Sequence, residues 1–270
     1  MYMDIKSRDN EKFKYLKSLL KKKNRMREEK YMVEGYRIIK QAIETGEKLH
    51  MAVFSESFEK NEFCESVLSE LENQGTKVYR LDQKLFDEIS DTQNSQGIIA
   101  VAHMKSLDLK EQVGKGTRFV LVLDRIQDPG NMGTIIRTAD AAGVEAVVLL
   151  KGCVDVYNPK VLRSTMGSVF TMPILSADDS ESALDILKEE GFAVASSILE
   201  TDSYYDEISY PQKIALVIGN EANGIDQSII ERSDIKVKIP IYGNAESLNA
   251  GIAAGILMYK IAGVLYCIKK

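Results

Sequence analysis

Five polar residues sit at places along the chain where chemistry is usually done: Asn131, Arg137, Glu221, Ser247 and Asn249. Glu221 follows the apolar run Ile214–Ile218 through Gly219-Asn220. A carboxylate directly past a buried strand needs a partner or has a task, because an ionised group at the edge of a core is costly to leave unmatched. Asn131 and Arg137 fall one to two turns apart near a helix start. The planar fork of Arg137 can hold a phosphate through two parallel hydrogen bonds; pairing with Asp124 or Asp128 across the turn is the structural alternative. Ser247 and Asn249 precede a long apolar stretch, and either can cap the helix it forms. Histidine and cysteine supply no second chemistry. His50 and His103 are the two histidines, and Cys64, Cys153 and Cys267 are widely spaced with no CxxC pair. Neither a zinc site nor a Cys–His nucleophile is expected, so no metal is expected. The cysteines read as free thiols in a reducing, cytoplasmic compartment.

These residues need elements to hold them. The runs 214–218 and 235–241 are rich in β-branched residues, and each ends in a polar, glycine-bearing turn. That is the pattern of buried strands in a parallel sheet. Two such ends side by side predict a ligand crevice at the carboxyl edge of the sheet. Upstream, Phe119–Leu123 reads as a strand running into Asp128-Pro129-Gly130-Asn131, with a helix from Thr134 to Ala142 closed by Gly143. Strands follow at 144–150 and 192–198, an extended stretch at 170–175, and an amphipathic helix at 180–190. A separate alternation begins the chain: strands near Tyr31-Met32-Val33, 51–54, 77–79 and 97–102, with helices between them. A basic helical stretch precedes these, with Phe13, Leu16, Leu19 and Leu20 as its apolar stripe. The organisation expected is α/β throughout, with a small domain over 1–104, a charged linker over 105–117 and a parallel-sheet domain over 118–270.

The 270 residues are 44% hydrophobic, enough for sizeable cores, and the net charge of -5 excludes a generally basic nucleic-acid binder. The charge is unevenly placed, however. Residues 6–40 carry Lys21, Lys22, Lys23, Arg25, Arg27 and Arg37. This stretch either attracts phosphates or forms a solvated helix face. The full GxGxxG and Walker patterns are absent, so a nicotinamide or ATP enzyme is poorly supported. Residues 1–20 have no apolar signal-peptide core. The stretch 248–268 has the length of a membrane span but contains Asn249 and Lys260, and reads as a core or interface helix rather than a membrane anchor.

Three blocks occur in order: Asn131-Met132-Gly133-Thr134-Ile135-Ile136-Arg137, Gly219-Asn220-Glu221-Ala222-Asn223-Gly224, and Ile239-Pro240-Ile241 with Glu246-Ser247-Leu248-Asn249. Together they resemble the three motifs of the SpoU (TrmH) branch of the SPOUT superfamily, which are S-adenosylmethionine-dependent RNA ribose 2′-O-methyltransferases. Asn158-Pro159-Lys160, Arg163-Ser164 and Gly167 are similar to the family's pattern between the first two motifs. Residues 8–103 resemble its ribosomal-protein-like RNA-binding domain. The resemblance implies a deep trefoil knot, a homodimer, and S-adenosylmethionine held by Gly219, Asn220, Ile239, Ile241 and Leu248. It implies Arg137, Asn131, Glu221, Ser247 and Asn249 around the reaction, with Arg137 as either base or phosphate clamp. A guanidinium pKa above about 12 makes the clamp easier to defend. Lys21, Lys22, Arg25 and Arg163 would meet RNA. Ribosomal RNA is the expected substrate. The alternatives are transfer RNA, or a non-catalytic RNA-binding or ribosome-assembly factor of the same fold.

Overall fold

The computed structural model describes residues 2–92, 94–114 and 116–266. Cys267, and Ile268 at the end of the expected 248–268 helix, lie outside the described residues. The chain forms two compact units. One comprises Met1–Lys105 and Tyr157–Phe170, the other Ser106–Val156 and Thr171–Lys270.

The first unit is built on a mixed sheet of β1 (Met3–Ile5), β2 (Lys30–Glu34), β3 (Leu49–Phe54), β4 (Lys77–Leu81) and β5 (Ile98–His103), in the order β1-β4-β3-β5-β2. β1, β4 and β3 run parallel, whereas β5 is antiparallel to both β3 and β2. The helix Glu11–Ser18, capped by the Asn10 side chain, lays Phe13 and Leu16 into a core with Val53, Leu81, Phe86 and Val101. Leu19 joins them, while Leu20 is partly exposed. β1 was not expected: three residues with one buried side chain give no periodic signal. Helix Pro159–Thr165 belongs to this unit, opened by the Asn158 side chain and Pro159 at its first turn.

The second unit carries β6 (Phe119–Leu123), β7 (Ala146–Leu150), β8 (Ile174–Ala177), β9 (Ala193–Ser197), β10 (Ile214–Ile218) and β11 (Ile235–Val237). All neighbours are parallel, in the order β11-β9-β10-β6-β7-β8. β6, β7 and β10 are buried at every position, which is why their sequences are continuous apolar runs and not alternating ones.

Several expectations are corrected here. The strand expected over 235–241 stops at Val237, and β9 lies between β10 and β11, so their ends are not adjacent. The turn expected at Gly130–Gly133 is helical. The helix runs over Pro129–Ala142, because Asp128 caps it and Pro129 occupies its first position. The stretch 170–175 divides between a short helix, Ser168–Thr171, and β8. Within 105–117, read as linker, the helix Leu109–Val113 forms and buries Val113 in the second unit's core.

Candidate active site

A cleft of ≈ 450 Å³ opens at the carboxyl edge of the second unit's sheet. The ends of β9 and β10 supply Ser197, Leu199, Ile218 and Gly219, and the chain after β11 supplies Ile239, Ile241, Ser247 and Leu248. The volume suits a small organic ligand, and the lining is mixed as such sites usually are. Gly219, Asn220, Glu221, Ile239, Ile241, Ser247 and Leu248 therefore share one cleft, although they come from two separate motifs. Gly219 is required by a close backbone approach. A Cβ built there would lie 2.4 Å from the carbonyl carbon of Gly224 and 2.5 Å from the Ile225 nitrogen. The loop is pinned by Asn220, whose side-chain oxygen accepts from the N–H groups of Ala222 (2.9 Å) and Asn223 (3.0 Å).

Beside the cleft, three residues form one directed chain. Asn131 Nδ2 donates to Glu221 Oε1 at 2.5 Å, and Asn249 Nδ2 donates to Asn131 Oδ1 at 2.9 Å. Asn249 Oδ1 accepts from the Gly251 N–H at 2.9 Å and caps the helix Ala250–Leu265. The cap is thus Asn249 and not Ser247. Ser247 is exposed on the cleft wall. Arg137 stands exposed on the helix Pro129–Ala142, with no hydrogen bond or ion pair to it among the described residues. Six residues beyond Asn131, it lies on a different stripe of that helix.

The acidic partners considered for Arg137 are used elsewhere. Asp128 accepts from the Asn131 N–H at 2.8 Å. Asp124, buried at the end of β6, accepts from Arg125 Nε (3.0 Å) and Nη2 (2.9 Å) and from the Asp226 N–H (2.8 Å). Arg125 itself adopts φ +56, a left-handed backbone unusual for a side chain of this size. Its carbonyl accepts from Asn220 Nδ2 at 2.9 Å, and its guanidinium reaches the Gly224 carbonyl at 3.4 Å. The hydrogen bonds to Asp124 raise the Arg125 pKa above its ordinary value. Asp124 and Arg125 thereby brace both ends of the Gly219–Gly224 loop. Sequence reading missed them, although Asp124 carries the same signal as Glu221, a carboxylate directly after a buried strand.

Of the residues expected to meet RNA, Lys21 and Lys22 are exposed in the first unit. Arg25 is not available there. It is buried, and its Nη1 donates to the carbonyls of Leu19 (2.9 Å) and Leu20 (2.8 Å). It thus satisfies the carbonyls that follow the helix Glu11–Ser18. Arg163 is half-buried and paired with Asp91 at 2.5 Å. Among the described residues no cluster of His, Cys, Asp and Glu could hold a metal ion, and no helix is long and apolar enough to cross a membrane.

Comparison with known proteins adds an independent view. The SpoU rRNA Methylase family model matches residues 118–259, and the MRM3-like substrate binding domain matches residues 10–100. The 23S rRNA (guanosine(2553)-2'-O)-methyltransferase RlmP of Bacillus subtilis (strain 168) is 38% identical over 259 residues, 96% of this chain and 99% of its own. Among solved structures, an AdoMet-bound rRNA methyltransferase from Sinorhizobium meliloti superposes with a TM-score of 0.86 at 29% identity, covering 97% of both chains. The SpoU methyltransferase AviRb from Streptomyces viridochromogenes, in complex with AdoMet, gives 0.83 at 26% identity over 94% of this chain and 98% of its own.

Proposed function

Because the chain belongs to the SpoU rRNA methylase family, we propose that it transfers a methyl group from S-adenosylmethionine to a ribose 2′-hydroxyl of ribosomal RNA. The observation that carries this reading is the cleft at the carboxyl edge of the sheet, with the Glu221–Asn131–Asn249 chain beside it. The residues present fit the cofactor. Gly219 lets the loop after β10 pack onto the Gly224–Ile225 backbone, which a Cβ would prevent, and Ile218, Ile239, Ile241 and Leu248 offer apolar walls for an adenine. Main-chain groups of the Gly219–Gly224 loop and of the 239–248 segment supply both donors and acceptors for its edges. S-adenosylmethionine, when bound, supplies an electrophilic methyl group on a sulfonium.

The chain's own residues then have four tasks. The 2′-hydroxyl must be held in line with that methyl, which Ser247 and the Asn131 and Asn249 amides do. Charge developing on the ribose oxygen as its proton leaves to solvent water must be stabilised, and the exposed Arg137 guanidinium does this while gripping the adjoining phosphate. Glu221 fixes the orientation of Asn131. Lys21 and Lys22 attract the RNA backbone, a term that weakens as salt rises. With ribosomal RNA as substrate, the protein works in the cytoplasm. The C-terminal helix Ala250–Leu265 leaves Ile252 and Tyr259 more than half exposed on an apolar element, which supports a homodimer built on this unit. The family's trefoil knot is part of the same proposal. The test is transfer of tritium from methyl-labelled S-adenosylmethionine to protein-free ribosomal and transfer RNA. Counts in ribosomal RNA support the reading. Counts in transfer RNA alone redirect it, and donor binding with no transfer to either RNA leaves a non-catalytic RNA-binding protein.

A further inference from the structure

A second cavity, of ≈ 280 Å³, lies within the first unit, far along the chain from any residue of the methyl-transfer cleft. Its walls come from the start of the helix Tyr36–Glu44, from the loop before β5, and from Arg163 and Met166. We propose that this pocket takes a single unpaired RNA nucleotide, and that it is where the first unit reads its substrate. The proposal rests on the reading that ribosomal RNA is the substrate.

Each wall offers what a splayed-out nucleotide needs. Ile38 and Met166 supply apolar surface for a base face. Gln41 and Gln96 present primary amides, which combine donor and acceptor and suit a base edge. The Gln96 carbonyl already accepts the Tyr36 N–H at 2.9 Å, so its NH₂ is the group it offers. Two guanidiniums face the same space. Arg163 is neutralised by Asp91, whereas Arg37 is exposed and lies over the Tyr36 ring at 5.7 Å. Tyr36 is itself stacked on Phe63 at 4.6 Å with an interplanar angle of 15°, which extends the aromatic surface beside Arg37. The acidic group in the wall, Glu34, is occupied. Its oxygens accept from the hydroxyls of Ser90, Thr92 and Ser95 and from the Asp91 N–H.

Met166 adds a different kind of observation. It holds φ +50, a left-handed conformation that methionine rarely adopts, and the residue is 46% exposed. Glycine would relieve the backbone and lose nothing from the core. The left-handed backbone is that of the C-cap ending the helix Pro159–Thr165, where the Met166 N–H donates to the Arg163 carbonyl, and the side chain beyond it lines the pocket. Exposed bases that stack on aromatic and guanidinium planes and are read along their edges are the usual targets of single-strand RNA recognition. A duplex cannot enter a space of this size.

The experiment uses the full-length protein and in vitro transcribed 23S ribosomal RNA. Ultraviolet cross-linking and peptide mapping are expected to place nucleotide adducts within residues 36–41 or 163–167. An Arg37→Ala, Met166→Gly double variant is expected to lose RNA affinity at least tenfold and to lower the salt slope by about one. Its affinity for S-adenosylmethionine and its unfolding temperature should not fall, because Met166→Gly removes strain. A double variant that binds RNA like the parent, or adducts confined to other parts of the first unit, overturns the pocket and leaves the RNA reading standing. A parent protein that binds S-adenosylmethionine but no ribosomal RNA overturns both.

Discussion

A carboxylate can only accept hydrogen bonds, and this fixes the amides of Asn131 and Asn249 in turn. Glu221 obliges Asn131 to turn its NH₂ toward it, which leaves the Asn131 oxygen facing Asn249. The oxygen of Asn249 is already held by the helix N–H groups, so its NH₂ must complete the link. An aspartate at 249 would keep the cap but place an acceptor against the Asn131 oxygen. Asn249→Asp is therefore expected to unfold near the parental temperature while losing tenfold or more in methylation rate. Asn249→Ala should lose the rate and also about 1 kcal/mol of stability with the cap. Thermal unfolding beside a methyl-transfer assay checks both, and an Asn249→Asp variant that methylates at the parental rate would show that the cap, not the directed chain, matters. Arg137→Ala should lower the rate by about 10²–10³-fold with S-adenosylmethionine affinity unchanged in calorimetry. Arg137→Lys should fail nearly as badly, since a point charge does not reproduce the planar fork. At this scale Glu221 was legible from its place after a strand. Arg125 was not, because nothing in its neighbours' types signals a left-handed backbone. Nor was the burial of Arg25, since its partners are carbonyls, which every sequence has.

The elements were most legible where burial is complete. β6, β7 and β10 are uninterrupted apolar runs, and their limits were read to within about two residues. Short pieces such as β1 and the helix Gln227–Glu231 were not found, since three to five residues carry too little periodicity. The start of the helix Pro129–Ala142 was misplaced because Gly130 and Gly133 suggested a turn, although Asp128-Pro129 is a cap followed by a first-turn proline. The proposed cofactor site depends on how tightly the loop after β10 is packed. Gly219→Ala must push back the Gly224–Ile225 backbone, so S-adenosylmethionine affinity should fall at least tenfold, as calorimetry would read. An unchanged affinity would mean that this loop does not hold the cofactor. The same loop is tied to the helix Gln227–Glu231 by Asp226, whose carboxylate is held below its usual pKa, chiefly by the Ser228 hydroxyl and then by the Ser228 N–H. Because the folded value is the lower one, its stabilisation is complete above the unfolded value of about 3.9 and disappears as pH falls through the folded value. Asp226→Asn should therefore flatten the loss of stability below about pH 4, measured by denaturant unfolding across that window.

For the whole molecule, the α/β class and the parallel sheet were visible in the alternation of runs. The strand order was not, because β9 enters between β10 and β11 and only tertiary pairing decides that. Nor was the assignment of Pro159–Thr165 to the first unit, since contacts made far along the chain leave no local trace. The proposed homodimer gives the helix Ala250–Leu265 a reason to be apolar nearly all round. Gly255 sits with its would-be Cβ 3.6 Å from the Thr138 methyl, an ordinary contact, so Gly255→Ala should be tolerated. Gly255→Leu should overpack this face, lowering stability by about 1–3 kcal/mol or weakening the dimer in analytical ultracentrifugation. A fully active monomer would remove the dimer from the proposal. The central claim is ribose methylation, and mass-spectrometric mapping tests it most directly. Unmodified 23S ribosomal RNA is incubated with S-adenosylmethionine and the protein, digested, and read for methylated nucleosides. One added 2′-O-methyl group, absent with Arg137→Ala, is the expected result; a methyl group found on a base, or no methylation by folded protein that binds both S-adenosylmethionine and RNA, would contradict it.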